Sequence, residues 1–199
     1  YVSPTGSNSN SGASWAAPKQ SLYSSAGNGA MDVVDTGGQI WMKQGTYNFA
    51  GNSGQGNSIY ISKNMLIYGG FAGNETSLDQ RSNDASLTII SGVNGGGTSV
   101  KSRNVFRLAT GLTSVRLDCL TIRDGDASGN QTAGGDSRGG GVYCDSSSLT
   151  LNNCIVTQNR ARTAGAGASI SNAEASSYAV NIADCQFTYN NPLIAELAV

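Results

Sequence analysis

LTLNNCIVTQN, residues 149–159, places its large apolar side chains at Leu149, Leu151, Cys154 and Val156 and ends on Asn159. The spacing is two, three, two, three, which is neither a helical period nor the simple alternation of a strand. It returns in VNIADCQFTYN at Val180, Ile182, Cys185, Phe187 and Asn190. It is already present in VRLDCLTIRDG at Val115, Leu117, Leu120, Ile122 and Gly125. The copies are offset by 34 and then 31 residues, so the chain carries an internal repeat. Each copy reads as two short strands with one buried face, separated by a polar break at Asp118-Cys119, Asn152-Asn153 and Ala183-Asp184.

A third strand precedes each pair: NVFRLA (104–109), GGGVYC (139–144) and GAGASI (165–170). One such unit cannot bury its own apolar face, whereas units stacked in register bury all of them and pair each strand with its equivalents above and below. The expected fold is therefore all-β, a parallel β-helix with three strands per turn. Its inward columns are Leu117/Leu151/Ile182, Leu120/Cys154/Cys185 and Ile122/Val156/Phe187. Asn159 and Asn190 are expected to stack at a corner, bonding the backbone of the next turn and accepting left-handed geometry. A β-sandwich also uses many short strands, but its strands do not repeat one spacing in this way.

Residues 1–50 read as an N-terminal cap with the first strands, and 51–199 as the repeat region, continuing beyond the chain or capped by 191–199. AAPKQSLYSSA (16–26), with Pro18 where a helix can begin, predicts a short helix over the open apolar end. Strands are expected in GQIWMKQGTYNF (38–49), IYISKNMLIYGGF (59–71) and SLTIISG (86–92). Trp15, Trp41, Tyr47, Tyr60 and Tyr68 are expected to seal that end of the core; exposed, they would offer faces for sugar rings. The apolar tail NPLIAELAV fits a turn cut short.

With 12 basic and 13 acidic residues and a net charge of −1, the chain has no basic footprint for nucleic acid. It has no apolar run of membrane-spanning length, so no membrane insertion is expected of this segment. Histidine is absent, which removes Ser-His-Asp and Cys-His chemistry and the usual general base near neutral pH. Scarce lysine and abundant Ser, Asn and Gly suit an exported, extracellular or cell-surface setting.

YVSPTGSNSNSGASWAAPKQ, GTYNF, LIYGGFAGNETSLDQR and TIISG together resemble the N-terminal half of bacterial surface β-helix proteins. GGGVY with VTQN (156–159) and FTYN (187–190) is similar to the glycine-rich and FxxN motifs of polymorphic outer membrane proteins. The resemblance covers nearly the whole chain. It implies a single-stranded, right-handed parallel β-helix on an exported, often surface-anchored protein with adhesin-like roles. It implies no single activity, since the scaffold also carries pectate-lyase-like enzymes. GAGAS departs from the second glycine-rich motif, and the C-terminal anchoring region of such proteins is not in this sequence.

Corner loops are the natural place for function. GNETSLDQRSNDA (73–85) and DGDASGNQTAGGDSR (124–138), with Arg123, Arg160 and Arg162, hold 11 of the 25 charged residues: Glu75, Asp79, Arg81, Asp84, Asp124, Asp126, Asp136 and Arg138 complete the set. Stacked corners would align them along one edge. The plain reading is a solvated rim; the functional one is a ligand site of Asp79, Arg81, Arg123, Asp136, Arg138, Arg160 and Arg162. DGDASG (124–129) partly matches a calcium loop, with oxygens from Asp124, Asp126 and Ser128, so Ca²⁺ is the one cofactor the sequence offers. The twelfth-position glutamate is replaced by Gly135, with Asp136 one residue on. Cys154 and Cys185 share a column and read as buried thiols or, with strained torsion, a disulfide; Cys119 reads as outward.

Two classes of function follow. The first is a non-catalytic surface module, adhesin-like or carbohydrate-binding, whose partner is a polysaccharide or a host or cell-surface protein. The second is a polysaccharide lyase eliminating across an acidic glycan, with Arg138, Asp124 and Asp126 as its catalytic candidates. A third reading, glycoside hydrolysis, would pair Asp118 with Asp145.

Overall fold

The computed structural model describes residues 1–49, 58–94, 101–129, 137–171 and 178–192. Its elements in chain order are α1 (Ala30–Val33), β1 (Gln39–Lys43), β2 (Gly45–Phe49), β3 (Ile59–Ile61), β4 (Met65–Phe71), β5 (Thr88–Asn94), β6 (Phe106–Leu108), β7 (Val115–Asp118), β8 (Thr121–Arg123) and β9 (Asp126–Ala127). They continue with β10 (Val142–Asp145), β11 (Leu149–Asn152), β12 (Ile155–Thr157), β13 (Arg160–Ala161), β14 (Ala168–Ser171), β15 (Val180–Ala183), β16 (Gln186–Thr188) and β17 (Asn191–Pro192). The molecule is all-β, with helix confined to the four residues of α1 and two 3-10 turns among the described residues.

Among the described residues these strands all pair in parallel, with one isolated antiparallel bridge from Val93 to Lys101. The sheets run β1-β4-β7-β11-β15, β14-β10-β6-β3, β16-β12-β8-β5-β2 and β17-β13-β9. Consecutive strands thus fall in different sheets, and the chain visits the sheets in one cyclic order, returning each time beside the strand it left. That topology is compatible with a β-solenoid.

The register carries the repeat. Leu151 lies between Leu117 and Ile182, and Val156 lies between Ile122 and Phe187. Neighbouring strands stand about 4.8 Å apart, so each inward side chain rests on its equivalent. Leu117, Leu120, Ile122, Leu149, Leu151, Cys154 and Val156 all belong to one buried core. At the other end of the columns Val180, Ile182 and Phe187 are exposed, because no described residue lies beyond them.

The irregular spacing has a conformational cause. Cys119, Asn153 and Asp184 occupy the left-handed region at φ between 47° and 57°. So do Asp124, Gln158 and Tyr189, at φ between 54° and 65°. Each such residue turns the chain and consumes one position, which stretches the inward spacing from two to three. The expectation that Asn159 itself adopts this geometry is corrected: the residue before it does. Asn159 instead points inward and is fully buried. Its Oδ1 accepts from Gly125 N at 2.9 Å, and its Nδ2 donates to Ile122 O and to Asn190 Oδ1, both at 3.1 Å. Asn190 Nδ2 in turn donates to Val156 O at 2.8 Å. The column position above Asn159 is Gly125, where a Cβ would strike the Gly140 carbonyl, so only glycine fits under the GGG segment.

The predicted helix at 16–26 is displaced. Lys19 forms a parallel bridge with Val2, which bridges Met42 at the edge of β1, so this segment extends the sheet edge in extended form. The helix falls at Ala30–Val33, where the Asp32 carboxylate accepts from Gly29 N at 2.8 Å. Leu22, Ala30 and Met31 join the core cluster beside Ile40 and Met42.

Replacing Asn159 with Ala strands the buried Gly125 amide and removes the side-chain donor to the Ile122 carbonyl. The variant is expected to lose about 2–4 kcal/mol in urea denaturation. Asn181→Ala, on the exposed face of β15, is expected to stay within about 0.5 kcal/mol. An Asn159 variant as stable as the wild type contradicts the ladder.

Candidate functional site

Alternation along β4 sends Met65 and Ile67 into the core and leaves Leu66 and Tyr68 on the outer face. The strand then passes through Gly69 and Gly70, the latter at φ +91°, where a side chain would also meet the Ser82 carbonyl. Residues 72–87 fold back over the corner. Glu75 organises this clasp: its carboxylate accepts from Ala72 N at 2.5 Å, Gly73 N at 2.9 Å and Asn74 N at 3.0 Å. Burial pushes the Glu75 carboxyl up, but these backbone donors outweigh it and hold the group below its ordinary value. Trp15 Nε1 donates to Glu75 O at 3.0 Å, tying the N-terminal segment to the clasp.

The clasp delivers Arg81 over the Tyr68 ring, 5.5 Å from its centre. Arg81 donates to Gly69 O at 3.2 Å and pairs with Asp118 Oδ1 at 2.7 Å. From the same strand as Asp118, Arg116 donates through Nε to Asp118 Oδ2 at 2.8 Å, with Nη2 at 2.6 Å. Its guanidinium also lies 6.0 Å from the centre of the Tyr68 ring. Asn152 Nδ2 adds a bond to Asp118 Oδ2 at 3.1 Å. Tyr68, Asp118 and Asn152 are lateral neighbours in one outward row. Asp118 is 1% exposed, Arg81 10% and Arg116 33%, so the carboxylate is a buried hub and Arg116 its accessible side. Burial raises the Tyr68 hydroxyl above its ordinary value, with the two guanidiniums opposing. Beside Arg116 lies an open groove of about 340 Å³ lined by Leu66, Tyr68, Thr113, Arg116, Thr150 and Ala179.

The charged residues singled out from sequence do not share one edge. Asp79 and Arg81 belong to the clasp over the corner between β7 and β8: Cys119 Sγ donates to Ser82 O at 3.3 Å and Asn153 Nδ2 to Asn83 O at 2.6 Å. Asp79 is exposed and accepts from Ser77. Arg123, Asp124, Arg138, Arg160 and Arg162 lie one strand further along the turn: Arg123 at the end of β8, Asp124 and Arg138 between β8 and β10, Arg160 on β13 and Arg162 just after it. Asp124 faces Arg123 at 3.3 Å and Lys101 at 3.8 Å, and accepts from Ser91 Oγ at 2.9 Å. Asp126 accepts from Ser128 N at 3.0 Å and from the Ser128 hydroxyl. Arg160 stands beside Asp126 on the neighbouring strand, and Arg138 lies over the Tyr143 ring at 5.7 Å, with Arg107 at 4.6 Å. Arg162 N donates to Ser137 O at 2.9 Å. Asp136 lies outside the described residues, as does the tail from 193 onward. Among the described residues no three His, Cys, Asp or Glu side chains group as metal ligands.

Other expectations are corrected here. Asp118 and Asp145 lie on different sheets; Asp118 is engaged by two arginines, and Asp145 accepts from Ser171 Oγ at 3.0 Å. Cys119 does point out of the core, yet it is fully buried, because the clasp covers it. Of the five early aromatics only Tyr47 enters the core. Trp15 and Trp41 pack outside it with Tyr1 and Phe71, Trp41 stacking on Phe71 at 4.6 Å. The cysteines are free thiols, with Cys154 N donating to Cys185 Sγ at 3.4 Å. A hydrogen bond from the Cys154 thiol lowers Cys185 and raises Cys154.

No family model matches the chain, and neither does any curated protein or solved structure.

Glu75→Gln is expected to cost about 1–3 kcal/mol at neutral pH, since an amide cannot accept on both sides from three backbone donors. The folded carboxyl is depressed, so its contribution is complete above the ordinary value of 4.5 and is lost as pH falls through the folded value. Thermal unfolding of wild type and variant across that range should therefore converge in acid; a constant gap would contradict the assignment.

Proposed function

We propose that this chain is a single-stranded, right-handed parallel β-helix that serves as a non-catalytic, carbohydrate-binding and adhesin-like module of an exported surface protein. The cyclic visiting of parallel sheets in register supports the β-helix reading. The binding reading is carried by the Asp118 hub. It fixes an aromatic ring and two guanidiniums against the outer sheet face, beside an open groove whose threonine hydroxyls and Leu66 offer both polar and apolar contact. Sites of this sort bind through pre-set groups that lose little freedom on contact. A lyase would draw on Asp124, Asp126 and Arg138, and each is already engaged by a neighbouring cation, hydroxyl or ring. A hydrolase would need two free carboxylates, and Asp118 is held by two arginines.

A glycan array read alongside an ultraviolet assay for unsaturated product on the bound polymers tests this. The expected result is retention of at least one polysaccharide class without product. A silent array, or product release from a bound polymer, overturns the proposal.

A further inference from the structure

We propose that the groove beside Arg116 is an anion subsite that takes the carboxylates of a polyuronate chain; this rests on the carbohydrate-binding reading above and names the ligand class.

The argument is one of charge and donor count. Two guanidiniums meet a single carboxylate at Asp118, so the cluster carries one uncompensated positive charge. The neutral Asn152 amide fills the remaining approach to Asp118. The excess does not reside equally on both arginines. Arg81 is nearly covered and spends a donor on the Gly69 carbonyl. The clasp's own carboxylates are engaged elsewhere: Glu75 by three backbone amides, the exposed Asp79 by Ser77, and Asp84 by Ser86, near Cys119 and Arg81. Arg116 is a third exposed and uses only its Nε and Nη2 on Asp118. Among the described residues no protein acceptor meets its Nη1, so the end of the fork away from Asp118 is presented to solvent in the groove.

Two contacts with Asp118 Oδ2 hold the Arg116 guanidinium in place, with the Tyr68 ring 6.0 Å away. A planar guanidinium so fixed is suited to a carboxylate, which it meets with parallel charge-assisted bonds. The lateral row Leu66–Arg116–Thr150–Asn181 continues across the sheet at the strand spacing of about 4.8 Å, comparable with one sugar residue. One charged position followed by hydroxyl and amide positions suits an acidic sugar flanked by residues bound through their hydroxyls.

Affinity electrophoresis in gels containing polygalacturonate or its methyl ester tests the inference. Wild type is expected to be retarded by the acid and not by the ester, with retardation falling as salt is added. Arg116→Gln is expected to weaken it at least about tenfold. If that variant does not fold, Thr150→Tyr, which fills the groove and leaves the ion cluster intact, is read in its place with the same expectation. Equal retardation by acid and ester, or retardation by the acid that the folded variant retains, overturns the subsite and leaves the binding reading standing. No retardation by either polymer also overturns the subsite; a silent glycan array in addition removes the broader reading.

Discussion

The structure depends on the stacking of like side chains in parallel register. Leu117, Leu151 and Ile182 share one column, and the neighbouring columns follow from it because the corners between them hold left-handed residues at equivalent positions. A one-residue slip would turn every inward side chain outward, so the register is fixed by burial itself. The corners add a polar lock: Asn159 bonds a carbonyl and an amide of the preceding repeat while donating to its successor, Asn190, in the same column. Backbone groups at a tight bend are otherwise hard to satisfy away from water, and the buried amide does this without opening the core.

The outer surface follows from the same regularity. Because register makes Tyr68, Asp118 and Asn152 lateral neighbours, a carboxylate from one strand meets an amide from the next and a ring from the one before. The clasp after β4 then adds Arg81 from outside the sheet. A buried carboxylate is costly unless surrounded by donors, and here it has two guanidiniums and an amide. The arrangement leaves the surplus charge at Arg116, on the open side.

The inward face was legible in the sequence because burial imposes a spacing, and the spacing of residues 149–159 recurs twice. The third strands and the first strands were legible for the same reason. The early helix was not: Lys19 and its neighbours are held extended by pairing with Val2, a contact far in sequence from any local signal. Cys119 was rightly read as leaving the core, but its cover comes from Ser82 and its neighbours, 37 residues earlier. The candidate site was only partly legible. Arg81 was singled out by charge, whereas Arg116 looked like an ordinary outward strand residue. Aligning the repeats laterally would have brought Tyr68, Asp118 and Asn152 together, and Arg116 two residues before Asp118 on the same face. The expected single charged edge failed because the loops after β4 and β8 leave the repeat at different corners.

The central claim is that Leu117, Leu151 and Ile182 lie one upon another. Methyl-labelled nuclear Overhauser spectra of the Leu and Ile side chains measure this directly. Strong cross-peaks linking Leu151 to both Leu117 and Ile182, with none between Leu117 and Ile182 of comparable strength, are the predicted result. Absence of both Leu151 cross-peaks in the folded protein would contradict the stacked register and the outer row built upon it.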